Sequence, residues 1–587
     1  MGCSVVRGQA RAGTVLFVFF FFFAALVTAC RGEVPSPPPS GNIVIKTPIC
    51  DPANPAQVVA PQRIVLLTST QLLNMIRLIN DDVAQVIVDS GVFPVITDLT
   101  VRFPPPVSEQ LKVIIDQETL TPFVNTAQKV GDYVRDNFAA VTRCSSPTDA
   151  CASTYLGSLA VKAYRRKLTA GEQDRFTALY DGLRNQIVND QQVALTVQEA
   201  TGFVVQALLL SPQLLWRWEL GSDTSTGPPG VYLTDAELAS NLSFFLTDRP
   251  PDDALLADTN TGALRAHLGA HVDRILATQT ARDWLTHVME TYFRLNQLAA
   301  GNLIDPVKYP DVSGARLYAD LQEESHLFLA DAMWNGKVTD LLSSRKTFLN
   351  TALASTIYGI PAPAGATPTK FVETTLPADQ RAGMLTNAGF LVTRSRPTFV
   401  SVVARGLGVQ TVFTCIDLAA PVDDSLGTLS ESAQVSLLPT QTAEEQVAYR
   451  AGMPACASCH ASFDPYGLVL DSYDVAGRYR TVDDLGKSVD THTKLPAEIG
   501  GGQVQSAVEL ADLLSRSEAF TNCMATAALK YAMIDAAIEL PLPTRGQAGC
   551  ASAGVANQLR QSGNQSFTDL ARATATSPAF VLRQVQP

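Results

Sequence analysis

The chain has 587 residues, of which 46% are hydrophobic and 17% charged, and its formal net charge is −12. That length excludes a single core and calls for about two to four packed units. The acidic balance argues against nucleic acid and against an anionic membrane surface as partners.

The N-terminus reads as an export signal. Arg7 and Arg11 precede an apolar run from Val15 to Val27 that contains five consecutive Phe, Phe19 to Phe23. The run is too short for a membrane span and has the proportions of a signal peptide. It ends in Leu26-Val27-Thr28-Ala29-Cys30, which resembles a lipobox, so Cys30 is the expected lipidation site and 1–29 the expected signal. The alternative is an ordinary secretory signal with a chance Cys. Arg31, where inner-membrane lipoproteins often carry Asp, points to the outer membrane. A stiff tether is expected over 30–43, around Pro35-Ser36-Pro37-Pro38-Pro39-Ser40-Gly41. Loss of residues 1–29 removes two Arg and no acid and takes the net charge to −14. The expected place is the cell envelope, with the lipid as the membrane contact.

Downstream the expected fold is mainly α, as several packed helical units. An N-terminal helical region spans 44–150, in which Ile64-Val65-Leu66-Leu67 is a short, ambiguous strand signal. A helical domain follows over 151–221. In it Thr169-x-x-Glu172 is a capping box, and Phe176, Leu179, Tyr180 and Leu183 share one helical face. A break rich in Ser, Thr, Gly and Pro runs from Gly221 to Gly230. The next helical domain, 231–359, opens on the capping box Thr234-x-x-Glu237 ahead of Leu238, Leu242 and Phe245. Its later helix carries Leu317, Leu321, Phe328 and Leu329 and stops near Trp334-Asn335-Gly336. Glu323-Glu324 on that helix reads as a solvated pair. A second break lies at Ile360 to Pro368, and 370–499 and 503–587 form the last two units. Leu210-Ser211-Pro212-x-x-Leu215 is echoed by Thr576-Ser577-Pro578-x-x-Val581, and Arg217 and Arg583 stand two residues further on.

The residues with the clearest chemistry are Cys456-Ala457-Ser458-Cys459-His460. Two thiols and an imidazole at this spacing attach a c-type haem, the thiols as thioether anchors and His460 as the iron ligand. Ten Cys and six His in this chain would produce the pattern by chance about 0.002 times. The unit 370–499 is therefore expected to be a small cytochrome c-like module. Export fits this reading, because bacteria attach c-type haem outside the cytoplasm. Asp464-Pro465-x-Gly467 follows as turn chemistry. Arg478 and Arg480 are candidates for the haem propionates, or else pair with Asp471 or Asp474. The rival explanations are a redox-active C-x-x-C and a zinc site completed by His492. Met384, Met524, Met533 and His492 are open candidates for a sixth iron ligand. His267 and His271 lie one helical turn apart, without the neighbouring Glu that a zincin needs.

Six cysteines then remain: Cys50, Cys144, Cys151, Cys415, Cys523 and Cys550. In an oxidising compartment an even remainder suggests disulfides. Cys144 with Cys151 closes a short loop, Cys523 with Cys550 joins two C-terminal segments, and Cys50 with Cys415 follows by elimination. Free buried thiols are the alternative.

Several segments together resemble the planctomycete and myxobacterial cytochrome-associated proteins built from serial domains of unknown function. Ala163-Tyr164-Arg165-Arg166-Lys167-Leu168-Thr169 resembles the opening of one domain, which closes near Leu210-Ser211-Pro212. Leu233-Thr234-Asp235-x-Glu237-Leu238-Ala239 with Leu242-Ser243-Phe244-Phe245-Leu246 resembles the next. Arg381-x-Gly383-x-Leu385-Thr386, Arg405-Gly406, Cys415 and the run from Cys456 to Gly467 resemble the haem-motif domain. Ser517 to Tyr531 and Ser577-Pro578 resemble the last. The chain departs from this pattern at Asn241 (usually Arg), Thr247 (usually Trp), Asp471 (usually Glu) and Tyr531-Ala532-Met533, which lacks the usual Gly-Arg. The resemblance implies architecture more than activity.

The expected function is that of a lipid-anchored c-type cytochrome-like protein passing electrons to an extracytoplasmic redox protein. The alternatives are a haem enzyme with an open iron position and a surface binding or scaffold lipoprotein without haem.

Overall fold

The structure is a computed structural model, and it describes residues 59–91, 93, 117–188, 191–222, 226–227, 230–312, 314–416, 441–533 and 545–584. The expected signal, Cys30, the tether and Cys50 lie outside the described residues. The fold is mainly helical. No helix among the described residues is long and apolar enough to cross a membrane.

Local chemistry explains where many helices begin. Thr169 accepts from the Glu172 amide while the Glu172 carboxylate accepts from the Thr169 amide, and the helix Ala170–Arg184 starts there. Thr234 and Glu237 do the same for Asp235–Thr247, and Thr196, Thr442 and Ser566 head further capping boxes. Each box satisfies two amide donors that the first helical turn leaves without partners.

Packing gathers the described helices around two apolar cores. One runs from Leu66 to Leu215 in sequence and takes in Phe244. The other runs from Leu233 to Phe580, so the segments 231–359, 370–499 and 503–587 share one interior. The helix Asp235–Thr247 stands between them. Phe244 points to the first core and its neighbour Phe245 to the second, and every residue from Leu238 to Leu246 is buried.

The few strands are short. Ile64 to Leu66 does form a strand, Arg63–Leu66, paired antiparallel with Trp216–Glu219. The C-terminal strand Leu582–Gln584 pairs with Gly230–Tyr232 and, in parallel, with Ala60–Pro61. The sequence echo is structural. In both copies a capped helix leads through Ser-Pro into a four-residue helix, Pro212–Leu215 or Pro578–Val581, and then into a strand. Arg217 and Arg583 come from these two strands to one carboxylate, Glu219.

Three expectations are corrected here. Glu324 is not solvated: it is 1% exposed, while Glu323 stands in solvent. Three residues after Leu321 and four before Phe328, it falls on the apolar face. It accepts from Thr347 Oγ1 at 2.6 Å, Tyr358 OH at 2.9 Å and Asn387 Nδ2 at 3.0 Å. Cys523 pairs with Cys415 and not with Cys550, because Cys415, just after Gln410–Thr414, packs on the helix Glu518–Met533. That pairing also removes Cys415 as a partner for Cys50. Cys550 is disulfide-bonded as well, and Cys144 does pair with Cys151.

Candidate functional site

The C-x-x-C-H residues lie on the helix Pro454–Val469, which starts with Pro at its first position. Proline is tolerated there because that amide has no helical partner to lose. The expected turn at Asp464-Pro465-x-Gly467 is absent, and the helix runs through Pro465. Tertiary contact overrides the turn preference. A Cβ on Gly467 would overlap the Val402 carbonyl, and one on Gly406 would overlap the Phe463 carbonyl. The two backbones therefore touch where Pro454–Val469 crosses Val402–Val409, and only glycine fits at the crossing.

Arg405, beside that crossing, holds the far end of the helix. Its guanidinium is fully buried and donates to the carbonyls of Leu470 at 2.7 Å, Tyr473 at 2.6 Å and Asp474 at 2.6 Å. Burial and the nearby Arg480 lower its pKa to about 9, so it stays cationic at neutral pH and complements the helix C-terminus. Arg381 acts similarly one layer out. It lies between the rings of Tyr358 and Tyr473 and donates to Thr386 O and Gly477 O.

At the other end of the helix, Cys456 is half-buried and Cys459 exposed, and both are free thiols. Cys456, His460 and Asp464 recur every four residues, which puts them along one helical face. His460 is buried, its ring tilted against that of Phe463 with centroids 4.8 Å apart, and its Nδ1 lies 3.1 Å from Asp464 Oδ1. An ionised carboxylate can only accept, so in the neutral ring the proton sits on Nδ1 and Nε2 keeps its lone pair. Asp464 is 2% exposed, and its other oxygen accepts from Arg450 Nε at 2.7 Å. Arg450 comes from the neighbouring helix Ala443–Ala451, and its buried Nη2 has no hydrogen-bond partner among the described residues.

Other candidates lie elsewhere or are engaged. Arg478 is bound by Asp474 at 2.6 Å and by Asp311 at 2.5 Å, and Arg480 by Asp471 at 2.7 Å and Asp484 at 3.0 Å. Of the two expectations for these arginines, pairing with aspartates is present, and Arg478 Nη2 makes no hydrogen bond among the described residues. Met384, Met524 and Met533 are core residues. His492 is exposed, with Nδ1 2.6 Å from Asp490. His267 and His271 both bind Asp258 Oδ2, at 2.7 and 2.8 Å. Among the described residues no cluster of three or more His, Cys, Asp or Glu is arranged to hold a metal ion.

Sequence reasoning missed Arg450 altogether and took Asp464 for a turn residue. The signal for Asp464 was present: on a helix, position i+4 from His460 faces the imidazole.

Comparison with known domain families gives three matches. Residues 151–219 match PSD5, protein of unknown function (DUF1595), and 233–360 match PSD4, protein of unknown function (DUF1592). Residues 381–483, which contain the C-x-x-C-H helix, match PSCyt3, protein of unknown function (DUF1588). No curated protein and no solved structure matches the chain. The chain thus carries in series, between residues 151 and 483, regions matching PSD5, PSD4 and PSCyt3 domains, each of unknown function.

Proposed function

We propose that this is a lipid-anchored, extracytoplasmic c-type cytochrome-like protein that exchanges electrons with a redox partner in the cell envelope. The observation that carries the reading is the line of Cys456, His460 and Asp464 on one helix, with Cys459 one turn from Cys456. The donor set fits a covalent haem. Two free thiols suit thioether attachment, and the Asp464 contact leaves His460 Nε2 as the ligating nitrogen. Arg450 Nη2 and Arg478 Nη2, neither of them hydrogen-bonded among the described residues, are the candidate donors for a haem propionate. The name of the PSCyt3 match is in keeping with a cytochrome-associated role. When bound, haem supplies a one-electron couple. The protein's part is to anchor it, to orient His460 through Asp464, and to hold the helix through Gly406, Gly467 and Arg405. Cys30 is the proposed lipid site, with the outer membrane as the proposed location.

A haem enzyme with an open iron position is the second reading. A carboxylate on Nδ1 makes the imidazole a stronger donor, a feature that suits haem-ligand chemistry as well as electron transfer. Expression with a haem-maturation system and a haem-stained gel test both readings: absence of covalent haem leaves a binding or scaffold lipoprotein. Carbon monoxide binding to the reduced protein then separates them, since rapid binding counts against a six-coordinate electron carrier.

A further inference from the structure

A cleft of about 200 Å³ lies where residues 151–219 meet 233–360. Its lining comes from the end of the helix Asp149–Tyr164, the strand Trp216–Glu219 and the start of the helix Asp235–Thr247. Joints between packed units are common places for ligand sites.

The charged groups at this cleft are already engaged. Arg165 donates to the carbonyls of Gln213, Leu214 and Trp216 at 2.9, 3.0 and 2.7 Å. Arg166 grips Glu172 with two bonds of 2.8 Å. Glu237 accepts from the amides of Leu220, Gly221 and Thr234. Each of these charged side chains is therefore already hydrogen-bonded within the chain.

Among the neutral groups Thr234 is engaged with Glu237, and others are not. Ser240 Oγ is buried and has no hydrogen-bond partner among the described residues. A buried hydroxyl in that state is destabilising unless something satisfies it. The Tyr164 hydroxyl, the Gln213 amide and the Trp218 indole N–H likewise have no hydrogen bond among the described residues. Trp218 is 41% exposed because strand alternation turns Arg217 and Glu219 inward and leaves the indole outward beside the cleft.

We propose that this cleft binds a neutral pyranose sugar, as the terminal residue of a saccharide. The C–H groups on one face of a pyranose are slightly positive and suit the negative face of an aromatic ring. Sugar hydroxyls both donate and accept, matching Ser240, Gln213 and Tyr164, and the volume admits roughly one six-membered sugar ring. The site is independent of haem.

Saturation-transfer NMR on the purified full chain, with methyl glycosides of glucose, galactose, mannose and N-acetylglucosamine, tests this. At least one glycoside is expected to receive transfer. Trp218→Ala should abolish the signal, and Ser240→Ala should weaken affinity about tenfold, the loss of roughly one hydrogen bond. Thermal melts of both variants show whether they stay folded, and Ser240→Ala, a smaller side chain in place, carries the test if Trp218→Ala unfolds. Lack of transfer to all four glycosides, transfer that survives in both folded variants, or displacement of the glycoside by inorganic phosphate overturns the proposal.

Discussion

Arg583 donates through Nε to Glu219 at 2.9 Å across 364 positions of sequence, with both side chains buried. Arg63 reaches the same carboxylate at 2.6 Å, and Arg217 lies 3.9 Å away. Asn241, one of the departures from the resembling family, sits here too. Its amide is placed to donate to Glu219 and to accept from Arg583, each at 3.3 Å. One carboxylate thus ties the first strand pair to the last strand of the chain.

That tie makes Glu219 a stability hinge. Burial alone would push its pKa up, but Arg583, Arg63 and Arg217 outweigh burial and hold it well below the usual carboxylate range. Glu219→Gln leaves three buried guanidiniums facing a neutral amide. The expected loss is about 3–5 kcal/mol, read as a lower urea midpoint. An unchanged midpoint would mean that water already neutralises the cluster.

A second prediction concerns pH. Glu290 lies between His326, whose Nδ1 is 2.7 Å away, and His287 at 3.5 Å. Burial raises the Glu290 pKa, but the hydrogen bonds from both histidines prevail and bring it to about 2. The same contact raises His326 above 6.5. A depressed carboxylate contributes stability above its unfolded pKa and loses it as pH falls through the folded value. A raised histidine contributes below its unfolded pKa and loses it as pH rises through the folded value. The cluster is therefore at full strength between about pH 4.5 and 6.5. Melting temperatures of wild type and Glu290→Gln should differ most in that window and converge above it and below about pH 2.

The helix crossing supplies a paired test. Gly467→Ala forces a methyl into the Val402 carbonyl and should cost about 1–3 kcal/mol in thermal or urea unfolding. Gly554→Ala is the control, since its Cβ would meet nothing within 4 Å on the helix Arg545–Gln561. It should stabilise by up to about 1 kcal/mol. Equal effects from the two substitutions would sink the close-contact argument.

Asp464→Asn keeps an acceptor for His460 Nδ1–H but removes the charge. In the haem-loaded protein the midpoint potential should rise, because a carboxylate on the ligand favours the ferric state. The measurement is a redox titration followed at the Soret band. A potential equal to that of wild type would show that the contact does not reach the iron.

The motif was readable because its chemistry is local. C-x-x-C-H and the capping boxes at Thr169 and Thr234 depend on residues three or four apart, and such spacings carry over unchanged once a helix forms. Asp-Pro-x-Gly is also a local signal, and it misled, because the Gly406–Gly467 contact outweighs a turn preference.

Partner choice was not readable in the same way. Cys523 had two plausible partners in sequence, and only packing brings Cys415 to it. Arg478 and Arg480 offered two roles, and only the fold brings Asp311 to Arg478 across 167 positions of sequence. Glu324 looked like surface until its helix docked. By itself the sequence determined the helical fold class and the C-x-x-C-H motif with its spacing, which rest on short-range rules. The tertiary structure decided which charges are buried, which thiols pair and what stands behind His460, because those depend on groups that only a folded core brings within a few ångströms.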